Sequence, residues 1–165
     1  MFVPADITQD DKTAFYAELC EQLASLLAGE PDPIANAANT SALLYQAMPD
    51  INWAGFYFLK RPDELVLGPF QGKPACVRIA VGRGVCGAAV ERRASVLVMD
   101  VHDFADHIVC DSDSRSELVV PLIRDGKMLG VIDLDSPRLA RFDAGDQAGI
   151  ERIAGIYLGA SFWGD

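Results

Sequence analysis

No apolar run in this chain approaches the ~18 residues needed to cross a bilayer. The first stretch, MFVPADITQDDK, has neither the basic segment nor the long apolar segment of a secretory signal. Bases are scarce: 14 Lys and Arg stand against 24 Asp and Glu, a formal net charge of -10. That deficit argues against electrostatic binding to nucleic acid or to an anionic membrane surface. There is no C-x2-C pair, so the usual spacing of a structural zinc site is missing. Internal repeats, low-complexity stretches and linkers are missing too, and one domain over 1–165 is the simplest organisation. Together these absences predict a soluble, cytoplasmic protein, a setting in which structural disulfides are rare. Its four cysteines, Cys20, Cys76, Cys86 and Cys110, are then either core residues or reactive thiols.

What is present is a large apolar content and a clear change of period along the chain. Half of the residues are hydrophobic, enough for a sizeable core. Phe15, Leu19, Leu23, Leu26 and Leu27 recur at helical spacing, which predicts a helix over 10–28 closed by Gly29 and Pro31. A second, Ala-rich helix is expected from Ile34 to Met48, so that helices occupy about 8–48. The aromatic and β-branched INWAGFYFLK (51–60) and LVLGPF (65–70) then read as a hairpin, and CVRIAV (76–81) and SVLVMD (95–100) as further strands. Between them, GRGVCGAAVERR (82–93) reads as a loop running into a short helix. The stretch 101–116 has no sustained period and is expected to be a long loop with one helical turn; such loops are commonly functional. ELVVPLIRDGKMLGVIDLDS (117–136) flanks Asp125-Gly126, the usual two-residue hairpin pair. A last helix is expected over about 143–162, with Asp143 as its N-cap. Helices grouped around hairpin-linked strands at about 51–136 give an α+β fold with an antiparallel sheet.

The chemistry-bearing residues collect near the long loop. Cys110 sits in HIVCDSDSRSELVVPL, where Asp111 and Asp113 would raise a thiol pKa and Arg115 would lower it. An exposed spectator thiol is the alternative, though it would be an oxidation hazard. Cys86, in GRGVCGAAV, falls near a helix start, where backbone N–H groups favour a thiolate; it could equally be a small residue under a glycine turn. Cys76 opens the strand CVRIAV and matters only if Cys110 or Cys86 can reach it. Cys20, between Leu19 and Leu23, is expected in the core. His102, His107 and Cys110 make a poor metal set, because histidines five apart leave one helix face; no metal is expected. Asp133 and Asp135 share one face of their strand. With the turn centred on Asp125-Gly126, Asp133 falls opposite Leu118 and Asp135 opposite Ser116, which puts Glu117 on the other face unless a bulge re-aims it. Crowded carboxylates raise one another's pKa and attract a cation such as an ammonium group. Trp53, Phe56 and Tyr57 either fill the core or wall a pocket.

The strings NWAGFY, GPFQGKPACVRIAVGRGVCGAAV, DVHDF, HIVCDSDSRSELVVPL, GVIDLDS and RFDAGD occur in order from about Asn52 to Asp146. Together they resemble the free methionine-(R)-sulfoxide reductases, small enzymes built on a single GAF domain. The resemblance implies a central antiparallel sheet of about six strands with helices packed on one side. It implies an oxidoreductase that reduces free L-methionine-R-sulfoxide and serves in oxidative stress. Cys110 would be its nucleophile and Cys76 its resolving partner, with Cys86 also taking part; the order of Cys76 and Cys86 stays open. Glu117, Asp133 and Asp135 would bind substrate, with Glu117 or Asp135 handling the proton, and Trp53 and Tyr57 would wall the pocket. No bound cofactor is implied. Thioredoxin is the expected external reductant, and GAF domains commonly pair through helices, so a homodimer is compatible with the resemblance. Two rival readings use the same residues: a GAF module that senses a small molecule without chemistry, and a thiol redox switch with no sulfoxide pocket.

Overall fold

The structure is a computed structural model and describes residues 2–8, 11–106, 108 and 110–164. Helices begin where the sequence supplies caps. The Asp11 carboxylate accepts from the Ala14 amide (2.9 Å) and starts α1, Lys12–Leu27. Asp32 accepts from the Ile34 and Ala35 amides, and Pro33 fills the first position of α2, Pro33–Ala47, where a missing N–H costs nothing. At the other end of the chain Asp143 and Asp146 cap each other's backbone amides and start the helix Ala144–Ala160. The spans read from periodicity agree with these three helices to within two residues at each end.

The strands are β1 Trp53–Arg61, β2 Glu64–Gly72, β3 Arg78–Ala80, β4 Val96–Val98, β5 Ser116–Arg124 and β6 Lys127–Ser136. They form one antiparallel sheet in the order β3-β2-β1-β6-β5-β4. The short helix α3 is Gly84–Arg92, the C-terminal helix is α4, and the long loop opens with one 3-10 turn, Val101–Asp103. This is the α+β architecture expected. Cys76 does not open β3, which starts at Arg78; it lies in the loop before it, because only Leu65, Val66 and Glu64 of β2 have β3 partners.

Alternation divides the sheet cleanly. Ala54, Phe56 and Phe58 of β1 face one way with Leu118, Val120, Leu122, Ile132 and Leu134, and α1, α2 and α4 cover them. Phe56 is therefore core. Each such leucine or isoleucine taken fully out of water contributes roughly 1.5–3 kcal/mol, which makes this layer the main anchor of the fold. The opposite face carries Trp53, Tyr57, Val119 and Val131, and is covered by α3 and the connections around it. That second layer is shorter than the first and leaves a pocket.

One irregularity decides which residues line it. Next to the turn, Arg124 pairs with Lys127 and Ile123 with Met128, the register the sequence suggests. From Leu122↔Gly130 onward the partners are displaced by one, leaving Leu129 as the extra residue of a β-bulge. A Cβ on Gly130 would lie 2.1 Å from the Tyr57 carbonyl oxygen, so β1 and β6 close at this point only over a glycine. The shift places Glu117 opposite Asp135 and Val119 opposite Asp133. Glu117 therefore shares a face with both aspartates. The unbulged register, which puts it on the other face, is corrected by a single inserted residue, since strand parity has period two.

Candidate active site

β1 supplies the wall. Trp53 and Tyr57 project on the pocket side with ring centroids 5.9 Å apart, and Trp53 stacks on Phe70 of β2 at 5.2 Å. Gly55 lies between them; a Cβ there would come within 2.6 Å of the Trp53 ring, so the glycine lets that ring lie over the strand. Both aromatics also act through their polar ends. Trp53 Nε1 donates to the Lys73 carbonyl (3.1 Å) and the Tyr57 hydroxyl donates to the Cys76 carbonyl (2.9 Å). The wall therefore holds the segment that carries Cys76.

The floor is acidic. Glu117, Asp133 and Asp135 line the pocket from β5 and β6, with Glu117 and Asp133 each only 6% exposed. Burial first, and then the neighbouring carboxyls, push all three well above the ordinary carboxylate range: Asp135 acts on Glu117, Glu117 on Asp133, and Asp133 on Asp135. Asp133 partly opposes the upward push on Glu117, and Ser114 partly opposes it on Asp135. Asp133 Oδ1 is buried with no hydrogen-bond partner among the described residues. Raised in this way, the carboxyls favour the protonated form, the form a proton donor needs.

The thiols sit at the rim and the side. Cys76 and Cys110, 34 residues apart in sequence, are joined by a disulfide with Cα atoms 5.5 Å apart, and both are partly exposed. Cys86, in the first turn of α3, is a buried free thiol whose sulfur lies within 4.8 Å of a carboxylate oxygen of Asp133. Burial first, then Asp133 and Glu117, push its pKa well above the usual value. The helix N-terminus that would favour a thiolate at Cys86 is outweighed by desolvation and two carboxyls. Cys20 is a free thiol in the α1 core, as expected.

Cys86 Sγ and one carboxylate oxygen each of Glu117 and Asp133 lie within 4.8 Å of one another, close enough to share a cation. Sequence spacing hides this set, because its members come from α3, β5 and β6. His102 belongs elsewhere: its backbone N–H and Nδ1 engage Asp100 at 3.0 and 2.7 Å. His107 lies outside the described residues.

Three polar residues at this site escaped the sequence reading: Asn52, Lys73 and Ser114. Asn52 Nδ2 donates to Asp111 (3.3 Å) and to Ser114 (3.1 Å), and Lys73 Nζ donates to Asp111 (3.1 Å) and Asp113 (2.5 Å). Asp111 is held below the usual carboxylate range, first by the Asp113 backbone N–H and then by Lys73. The acids beside Cys110 are thus neutralised by a lysine from another loop, not by the local Arg115. Adjacency in NWAGFY and GKPAC was the only sequence signal for Asn52 and Lys73.

A GAF domain family model matches residues 37–157. The free methionine-R-sulfoxide reductase of Escherichia coli (strain K12) is 53% identical over 143 residues, 87% of this chain and 86% of that protein. The free methionine-R-sulfoxide reductase of Neisseria meningitidis, solved with its substrate, superposes with a TM-score of 0.92 at 45% identity, covering 97% of this chain and 95% of that one. A putative GAF sensor protein from Burkholderia vietnamiensis superposes with a TM-score of 0.88 at 54% identity, covering 92% and 96%. The fold and pocket are those of a GAF domain, and the chain belongs to the free methionine-R-sulfoxide reductase family within that class.

Proposed function

We propose that this protein reduces free L-methionine-R-sulfoxide to methionine, with Cys110 as nucleophile and Cys76 as resolving thiol. The observation that carries the reading is the Cys76–Cys110 disulfide at the rim of a pocket whose floor is three buried carboxyls, each pushed above the ordinary carboxylate range. A sulfoxide sulfur becomes electrophilic when its oxygen takes a proton. Cys110 thiolate attacks that sulfur, and Asp135 or Glu117 supplies the proton. The S–O bond breaks, methionine leaves with sulfur reduced by two electrons, and Cys110 carries the oxygen as a sulfenic acid. Cys76 thiolate displaces that oxygen as water and forms the disulfide. An external dithiol, of the thioredoxin class, returns both thiols by exchange. Cys86 does not resolve in this scheme. Its buried thiol lies beside the Asp133 carboxyl and adds to its apolar surroundings.

The same floor accounts for choice of the free amino acid. An α-ammonium entering the pocket stabilises one ionised carboxylate and leaves the others protonated for the chemistry. The first turn of α3, at Gly84 and Val85, borders the same space and favours the α-carboxylate through backbone N–H groups. A methionine sulfoxide within a peptide has neither charge and would leave these partners unmatched. Trp53 and Tyr57 pack against the thioether end and its methyl group.

The reading is tested by single-turnover assay of the cysteine variants. Cys76→Ser is expected to release one methionine per chain and stop as a trapped sulfenic acid. Cys86→Ser should keep disulfide closure, and Cys110→Ser should release none. Retained turnover in Cys110→Ser would reject the assignment.

A further inference from the structure

The two cysteines that close the disulfide lie on separate loops, and each loop is tied down by its own set of bonds. The 73–76 segment hangs from β1 through the Trp53 and Tyr57 hydrogen bonds to the Lys73 and Cys76 carbonyls. The 110–114 segment is held at its base by Asn52, through Asp111 and Ser114. Lys73 crosses from the first segment to the second and bridges Asp111, the neighbour of Cys110, and Asp113. Asp113 in turn donates its backbone N–H to Asp111 Oδ1 (3.0 Å), so the two carboxylates face Lys73 together. Asp111 is only 10% exposed on its side chain, whereas Lys73 and Asp113 are 59% and 64% exposed. This ion bridge is a link between the two cysteine-bearing loops that does not depend on the disulfide bond itself.

We infer that Lys73 is a positioning residue for the resolving step: it latches the Cys110 loop onto the Cys76 loop, so that a Cys110 sulfenic acid meets Cys76. This rests on the reductase reading above and adds a residue to it. The latch touches neither the sulfoxide nor a reacting sulfur. It acts on the distance over which the second sulfur must travel, so it should affect closure and leave the first attack nearly alone. An ion bridge with two exposed members is screened by salt, and closure inherits that sensitivity.

The test follows two rates in one experiment. Fully reduced protein is mixed with one equivalent of free methionine-R-sulfoxide and quenched over time; methionine release and disulfide formation are measured separately. In Lys73→Met, methionine release is expected near the wild-type rate, while closure slows by about fivefold, the scale of one well-placed ion pair. A sulfenic-acid trap should label Cys110 more heavily in that variant. Lys73→Arg, which keeps the charge and can fork onto both carboxylates, should restore closure. Raising salt from about 0.02 M to about 1 M should slow wild-type closure toward the Lys73→Met rate and leave Lys73→Met unchanged. Unchanged closure in Lys73→Met, equal slowing of both steps, or the same salt dependence in both proteins would overturn the latch. If wild type releases no methionine, the reductase reading fails instead. Hydrogen peroxide then replaces the sulfoxide: it oxidises the Cys110 thiolate to the sulfenic acid and is itself reduced to water, and the closure rates still decide the role of Lys73.

Discussion

At the residue scale, the site separates exposed chemistry from buried electrostatics. Cys110 and Cys76 sit on loops, partly exposed to solvent, as the proposed exchange of partners requires. Cys86 is shielded and its thiol is held neutral, which unfits it as first nucleophile at neutral pH. The carboxyls are retained at a cost in stability. Asp133→Asn removes a group that burial keeps from ionising, so it is expected to raise stability by about 1 kcal/mol at pH 8, a gain of roughly 2–4 °C in Tm for a chain of this size. The same variant should lose at least about tenfold in kcat/KM, one missing polar contact to the substrate being worth about 1.4 kcal/mol or more. Thermal melts beside steady-state kinetics check both signs; a less stable variant with normal kcat/KM would contradict the role of the floor. Most residues that line the pocket could be named from the sequence because their motifs are local. Lys73 and Asn52 could not be, since their ion-pair and hydrogen-bond partners lie 38 to 62 positions away and nothing local marks a pair formed over that distance.

At the level of the element, the β5–β6 hairpin does the assembling. Its turn at Asp125-Gly126 and its strand character were readable from the pattern of residues. The bulge at Leu129 was not, because a one-residue register shift leaves composition and alternation on each strand unchanged. Yet that shift brings Glu117 beside Asp135, and thereby makes the cluster. Gly130→Ala drives a Cβ to 2.1 Å from the Tyr57 carbonyl oxygen and must move β1 or undo the bulge. It is expected to cost about 2–4 kcal/mol in stability, a large value for one methyl group, and to reduce kcat/KM beyond what unfolding explains. Denaturant melts and activity measured well below the transition separate the two effects. Near-wild-type stability would show that the bulge tolerates a side chain. The helices pose no such difficulty: α1 follows from apolar spacing and α2 from its alanine content, Asp143 was readable as the cap of α4, and the structure adds Asp11 and Asp32 as caps of α1 and α2.

For the whole molecule, pH links folding to function. Glu117, Asp133 and Asp135 all have folded-state pKa values raised above their unfolded values. The folded protein therefore holds more protons than the unfolded chain once pH exceeds the ordinary carboxylate range of about 4. Their contribution to stability is complete below that range and is lost as pH climbs toward the raised values. Melts from pH 5 to pH 9 should show stability falling with pH in wild type and a shallower fall in Asp133→Asn. Parallel slopes would mean that the cluster does not set the trend. Activity should follow the same groups on its alkaline side, because the proton donor must be protonated while Cys110 must be ionised, which gives a bell-shaped profile. The layering that makes this possible, with three helices over one sheet face and α3 with its loops over the other, sets the acid-lined pocket on the second face.

The most direct measurement is thioredoxin-coupled NADPH consumption with free L-methionine-R-sulfoxide, run beside the S epimer and an N-acetylated R form. Turnover of the free R form, with at most trace turnover of the other two, is the expected result, since only that substrate meets the wall, the thiol and the acidic floor together. No turnover of the R form, with Cys76 and Cys110 shown to be reduced and the donor shown to be active, would contradict it and leave a ligand-binding GAF domain whose disulfide serves another purpose.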